Sequence, residues 1–157
     1  TMPIEATEHA GPVIIWRKEL RPDSGGAGRQ RGGLGQYMEV GAREGHEFDF
    51  SAMFDRVYHP ARGRRGGQAG APTSIGQDDG GVMRGKGKQF VAHGRRVMLA
   101  LPGGAGYGNA AERPVMMVRR DLARGYISAA VAARDYGLSA AEIAEVEALV
   151  RAGQPVD

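Results

Sequence analysis

The sequence predicts an α+β protein: an antiparallel, β-rich and glycine-loop-rich first two-thirds, followed by three short helices at the C-terminus. Three observations carry this. Short β-branched and aromatic runs with alternating polarity recur up to residue 101. The 157 residues include 26 glycines and 8 prolines, so turns and irregular loops must connect those runs. From Asn109 onward the apolar spacing changes from two to three and four, and helix start and stop signals appear. The expected division is a β-rich part over 1–108 and a helical part over 109–157, together one domain.

In chain order, Pro12-Val-Ile-Ile-Trp-Arg-Lys-Glu-Leu20 reads as a strand, with Trp16 expected in the core. Residues 36–40 alternate Tyr37 and Glu39 against Met38 and Val40, and residues 47–54 place Phe48 and Phe50 on one face. The turn material Gly41-Ala-Arg-Glu-Gly45 between them predicts an antiparallel hairpin. Residues 55–71 form a basic loop, and Arg95-Arg-Val-Met-Leu-Ala-Leu101 reads as a buried strand leading into Pro102-Gly-Gly-Ala-Gly-Tyr-Gly108. The helical part opens near Pro114, with Val115, Val118 and Leu122 on one face and Gly125 at the end. A second helix covers 128–136 and stops at Gly137. Ser139 and Glu142 form a capping box for a third, with Ile143, Val146, Leu149 and Val150 as its apolar stripe.

The least random stretch is Arg21-Pro-Asp-Ser-Gly-Gly-Ala-Gly-Arg-Gln-Arg-Gly-Gly-Leu-Gly35. Its glycines permit positive φ and close backbone approach, while Asp23, Ser24, Arg21, Arg29 and Arg31 supply donors, acceptors and charge. We take Asp23, Arg29 and Arg31 as the catalytic candidates. The ligand or interface loop comprises Arg21, Ser24, Gly25, Gly26, Gly28 and Gly33, with Gly103, Gly104 and Tyr107 from the later glycine run. A buried arginine needs a partner, so Arg29 or Arg31 is expected to meet a carboxylate, backbone carbonyls or another subunit.

Other chemistries fare worse. The absence of cysteine excludes disulfides and thiolate metal sites and fits a cytoplasmic protein. No apolar run of membrane-spanning length and no leader pattern stands out, so neither membrane insertion nor export is indicated. His46, His59 and His93 have no metal-ligand spacing, and no metal is assigned to this chain. Gly80-Gly-Val-Met-Arg-Gly-Lys86 has the spacing of a phosphate loop, but Gly87 replaces the required hydroxyl and the following residues read as strand. Residues 128–150 resemble a helix-turn-helix, yet Glu142, Glu145 and Glu147 give the would-be recognition helix the wrong sign for DNA. The net charge of +3 and the Arg-Gly-Gly segments leave single-stranded RNA binding as an alternative, weakened by sparse aromatics near the basic loop.

Residues 20–29 with Arg31-Gly-Gly-Leu-Gly35 resemble a signature of the hydantoinase B/5-oxoprolinase family, which includes N-methylhydantoinase B subunits and is related to acetone carboxylase subunits. Further blocks follow in order: Gly66-Gly-Gln-Ala-Gly-Ala-Pro72, then residues 102–108, then Arg120-Asp121 with Gly125 and Arg134-Asp-Tyr-Gly137. Ala105 stands where the family has glycine, a substitution expected to strain a positive φ, and Pro114 stands where the family usually has Asp. Thr1-Met-Pro-Ile-Glu5 looks like the middle of another block, so the chain is expected to be the C-terminal portion of a longer polypeptide.

The resemblance implies a B subunit that acts with an ATP-binding A subunit in a hetero-oligomer, opening cyclic amides such as 5-oxoproline or N-methylhydantoin. Relatives carboxylate ketones, so an assembly domain of a carboxylase is a further alternative. ATP and a divalent metal are implied for the full complex and none for this chain, whose isolated form is expected to be inactive. No DNA and no membrane partner is implied.

Overall fold

The computed structural model describes residues 3–156. The fold is α+β, with antiparallel sheets and short helices concentrated towards the C-terminus. Thr1 and Met2 of the first motif lie outside the described residues. The chain divides into two compact units, each assembled from separated stretches.

The first unit contains Thr1–Glu19, Gln36–His59 and Pro72–Leu101. It begins with a short helix, α1 (Ile4–His9), whose Glu8 carboxylate accepts the Ile15 N–H at 2.8 Å. Six strands follow: β1 (Val13–Arg21), β2 (Gly35–Ala42), β3 (Phe48–Met53), β4 (Ser74–Gln77), β5 (Lys86–Val91) and β6 (Arg96–Ala100). They form a four-stranded sheet in the order β1-β2-β6-β4 and a two-stranded ribbon of β3 and β5. The inward residues Met38, Ile75, Val97 and Leu99 of the sheet share one core with Phe48, Phe50 and Val91 of the ribbon. Such alternation is what a sheet with one wet face requires.

Two expectations fail here for identifiable reasons. Residues 36–40 and 47–54 do not form a hairpin, because β2 lies between β1 and β6 and both its edges are taken. Its pairing sets Val40 opposite Val97 and Met38 opposite Leu99, an apolar cross-strand match made far along the chain. Strand β3 instead pairs with β5, from Phe48 opposite Val91 to Met53 opposite Lys86. Nor is Trp16 in the core: it is 54% exposed, with the Arg96 guanidinium 4.0 Å from its ring centroid. That cation covers the ring, and Arg96 is itself held by Glu39 at 2.6 Å.

The second unit contains Leu20–Gly35, Pro60–Ala71 and Pro102–Asp157. Its helices are α2 (Val115–Ala123), α3 (Ala129–Tyr136) and α4 (Ala140–Arg151). Each has a local start or stop signal. Pro114 occupies the cap position of α2, Ser128 accepts the Val131 N–H at α3, and Ser139 and Glu142 complete the capping box of α4. Gly125 and Gly137 take positive φ just beyond α2 and α3, where a side chain would be strained. Val118, Ile127, Ala132 and Leu138 form the buried centre, with Leu122, Val131, Tyr136 and Ile143 packed on it.

Candidate functional site

The glycine-rich segments 20–35, 60–71 and 102–108 form the other half of this unit, and each is hydrogen-bonded to both of the others. Gly26 N–H donates to Gly104 O at 2.9 Å, and Gln30 and Tyr107 exchange two bonds of 2.9 Å. Gln68 N–H donates to Ala27 O at 2.7 Å and Ala71 N–H to Ser24 O at 2.8 Å. Gly106 N–H closes the triangle on Gln68 O at 2.9 Å. In a flat sheet the two outer strands cannot bond to one another, so these segments form a three-sided bundle, and none of the named strands extends through it.

The bundle explains the glycines. A Cβ on Gly103 would fall on the Ser24 carbonyl, one on Gly106 on the Ala27 carbonyl, and one on Gly26 on the Gln68 carbonyl. Gly28 would meet the Tyr107 nitrogen at 2.7 Å. None of Gly25, Gly26, Gly28, Gly33, Gly103 or Gly104 takes positive φ, so close approach alone selects glycine at the crowded positions. The expected strain at Ala105 is likewise absent, because its φ is not positive. Gly33 has no atom within 4 Å of an added Cβ and sits outside the crowding.

Polar side chains lock the bundle. Ser24, 1% exposed, donates its Oγ hydrogen to Arg21 O at 2.6 Å and accepts the Gly35 N–H at 2.8 Å, fastening both ends of the first segment. Asp23 has φ 58°, accepts the Ser128 N–H at 2.7 Å, and donates its own N–H to Tyr126 O at 3.1 Å. Arg31 binds the buried Asp121 carboxylate through Nε at 2.8 Å and a terminal nitrogen at 3.3 Å. Arg113 approaches Asp121 Oδ2 at 2.8 Å and donates to Arg29 O at 3.1 Å. One carboxylate thus faces two guanidiniums, and the side chains of Arg31, Arg113 and Asp121 are 13%, 5% and 9% exposed. Tyr126 lies beneath Arg31 at 5.5 Å, and Tyr136 beneath Arg113 at 5.9 Å. Burial raises the Tyr136 phenol above its usual pKa.

The later motifs find their place here too. Asp135 is held below the usual carboxylate pKa by Arg134, whose nitrogens lie 2.8 Å from both its oxygens, and by a weaker hydrogen bond from Gln68 of the second segment. Of the catalytic candidates, Asp23 and Arg31 are therefore joined to neighbours within the unit, whereas the Arg29 side chain is exposed. Arg113 and Asp121 are not among the site residues expected from sequence. The signal that could have found them is Asp121 itself, a carboxylate between Val118 and Leu122 on the buried side of α2.

Among the described residues no three His, Asp or Glu side chains converge as metal ligands, so the donor set does not fit a divalent ion. His93 Nε2 instead accepts the Gly45 N–H at 2.8 Å. Gly80 makes a positive-φ turn, and Lys86 opens β5 and pairs with Asp55, so no helix follows to receive a phosphate. No helix among the described residues is long and apolar enough to cross a membrane.

The described residues thus combine a glycine bundle locked to a helical layer in one unit with a small antiparallel sandwich in the other. The chain belongs to the hydantoinase B/oxoprolinase family, whose sequence profile matches residues 1–110. It is 30% identical over 143 residues to the caprolactamase beta subunit of Pseudomonas jessenii, covering 86% of this chain and 24% of that protein. The putative D-/L-hydantoinase B subunit of a Pseudomonas species is 30% identical over 151 residues, covering 92% and 25%. The crystal structure of ATP-dependent caprolactamase from Pseudomonas jessenii superposes with a TM-score of 0.72 at 25% identity, covering 94% of this chain and 28% of that one. The chain thus spans about a quarter of the length of these relatives.

Proposed function

We propose that the chain is the C-terminal part of the B subunit of an ATP-dependent cyclic-amide hydrolase of the hydantoinase/5-oxoprolinase type, working with an ATP-binding A subunit. The observation that carries this reading is the similarity to the beta subunit of a caprolactamase and the B subunit of a hydantoinase, across 86% and 92% of the chain. In this reading ATP and the divalent metal belong to the rest of the complex. The reaction activates an amide oxygen and then admits water to the adjacent carbon, with fixed cations neutralising developing charge. The part assigned to this chain is positional: the locked bundle holds the loop over 21–35 in one shape for a neighbouring polypeptide or active-site wall.

The test uses the complete reading frame co-produced with its ATP-binding partner. ATP-dependent release of ring-opened product from 5-oxoproline, N-methylhydantoin or caprolactam is expected, with none from the 157-residue chain alone. Turnover by the isolated chain would refute the dependence, and bicarbonate-dependent consumption of a ketone in place of ring opening would reassign the complex to carboxylation.

A further inference from the structure

We propose that Arg29, Arg64, Arg65 and Tyr107 form a docking surface for a carboxylate-bearing segment of a partner protein. The four residues are brought together by the bundle. Arg29 N–H donates to Gly108 O at 3.2 Å and Gly108 N–H to Arg64 O at 3.0 Å, so both arginines flank one glycine. Tyr107 bridges to Gln30 on one side and Arg64 on the other, and the Arg65 guanidinium carbon lies 5.9 Å from its ring centroid. Tyr107 is 41% exposed, and the three arginines are exposed.

Their charge is not answered by the described residues of the unit. Over residues 20–35, 60–71 and 102–112 there are six arginines, no lysine and two carboxylates, Asp23 and Glu112. Asp23 is engaged by the Ser128 N–H, and Arg31 is the one of the six that Asp121 neutralises. None of Arg29, Arg64 and Arg65 has an ion pair among the described residues.

The backbone is also strained to present this surface. Arg65 has φ 50° and Gly66 φ 89°, and Gly67 N–H closes on Arg64 O at 3.0 Å. Positive φ at both central positions is the pattern of a type I′ turn, which favours Asn, Asp or Gly where Arg65 stands. Strain at an exposed side chain is a reason to look for function.

A carboxylate partner fits best. Guanidinium forks bind carboxylates in a bidentate manner, and arginine with tyrosine is the composition of interface hot spots. Extended single-stranded nucleic acid requires a succession of stacking aromatics, and Tyr107 is the one aromatic in the three segments. This inference does not depend on which reaction the family member supports.

The experiment measures anisotropy of a fluorescein-labelled octaglutamate titrated with the full chain at low salt. Arg29→Ala/Arg64→Ala is expected to weaken binding at least about tenfold, while the control Arg56→Ala/Arg84→Ala, with the same charge change, stays within about twofold. Arg65→Gly separates function from folding, because it relieves the positive φ while removing a guanidinium: binding should fall while the melting temperature holds or rises. Absence of octaglutamate binding, equal loss in the control pair, or unchanged binding in Arg65→Gly would overturn the proposal. Tighter binding of octauridine that depends on the same arginines would overturn it in favour of nucleic acid.

Discussion

Arg31 Nε lies 2.8 Å from Asp121 Oδ2, across 90 residues of sequence, and this pair joins the first glycine segment to α2. Arg113 shares the same oxygen at 2.8 Å, so Asp121 is the single anion between two largely buried cations. Removing that anion leaves two largely buried cations uncompensated.

Asp121→Asn should therefore destabilise the chain by about 3–5 kcal/mol, the range for breaking a buried ion pair. Urea unfolding followed by far-UV circular dichroism reads it. A loss below about 1 kcal/mol would mean that water screens the cluster as it does a surface pair.

The glycines divide into crowded and open positions, and alanine should tell them apart. Gly106→Ala drives a methyl into the Ala27 carbonyl and should cost about 3 kcal/mol or more, at or beyond the usual range for overpacking, because the opposing atoms are backbone of Gly26 and Ala27 and cannot swing aside as a side chain can. Gly33→Ala meets nothing within 4 Å and should leave the melting temperature within a few degrees. Equal tolerance at both sites would refute the three-sided bundle.

Acid should loosen the helical layer through Glu142 and Asp135. The Ser139 hydroxyl holds Glu142 below its usual pKa, and Arg134 does the same for Asp135. A depressed folded-state pKa gives stability that is present above the unfolded value, about 4, and is lost as pH falls through the folded one. Glu142→Gln should then melt below the wild type at pH 7, with the difference vanishing in strong acid. A difference that persists unchanged at low pH would assign the effect to something other than ionisation.

What could be read from the sequence was whatever is decided locally. The Ser139–Glu142 box and the stop at Gly137 depend on residues within one turn of each other, and both stand as expected. The pairing of Val40 with Val97 does not, since many apolar runs suit Met38 and Val40, and only the completed sheet selects β6. Trp16 misled because an aromatic residue in a strand resembles core until a cation such as Arg96 is found covering its ring. At the candidate site, the richness of residues 21–35 was legible, but the role of its glycines was not. Close approach requires knowing which carbonyl lies opposite, and those carbonyls belong to Gln68 and Gly104.

The bundle also bears on the order in which the chain can acquire its shape. Helices α3 and α4 close over neighbouring residues and can form early, whereas Gly26 cannot meet Gly104 until everything between them has been made. Loop closure over such a span is entropically costly, and it is not rewarded until all three segments arrive together. During synthesis the stretch 20–35 must wait for its last partner to emerge, so the nascent chain carries this arginine-bearing glycine run uncovered for longer than any other part of this unit.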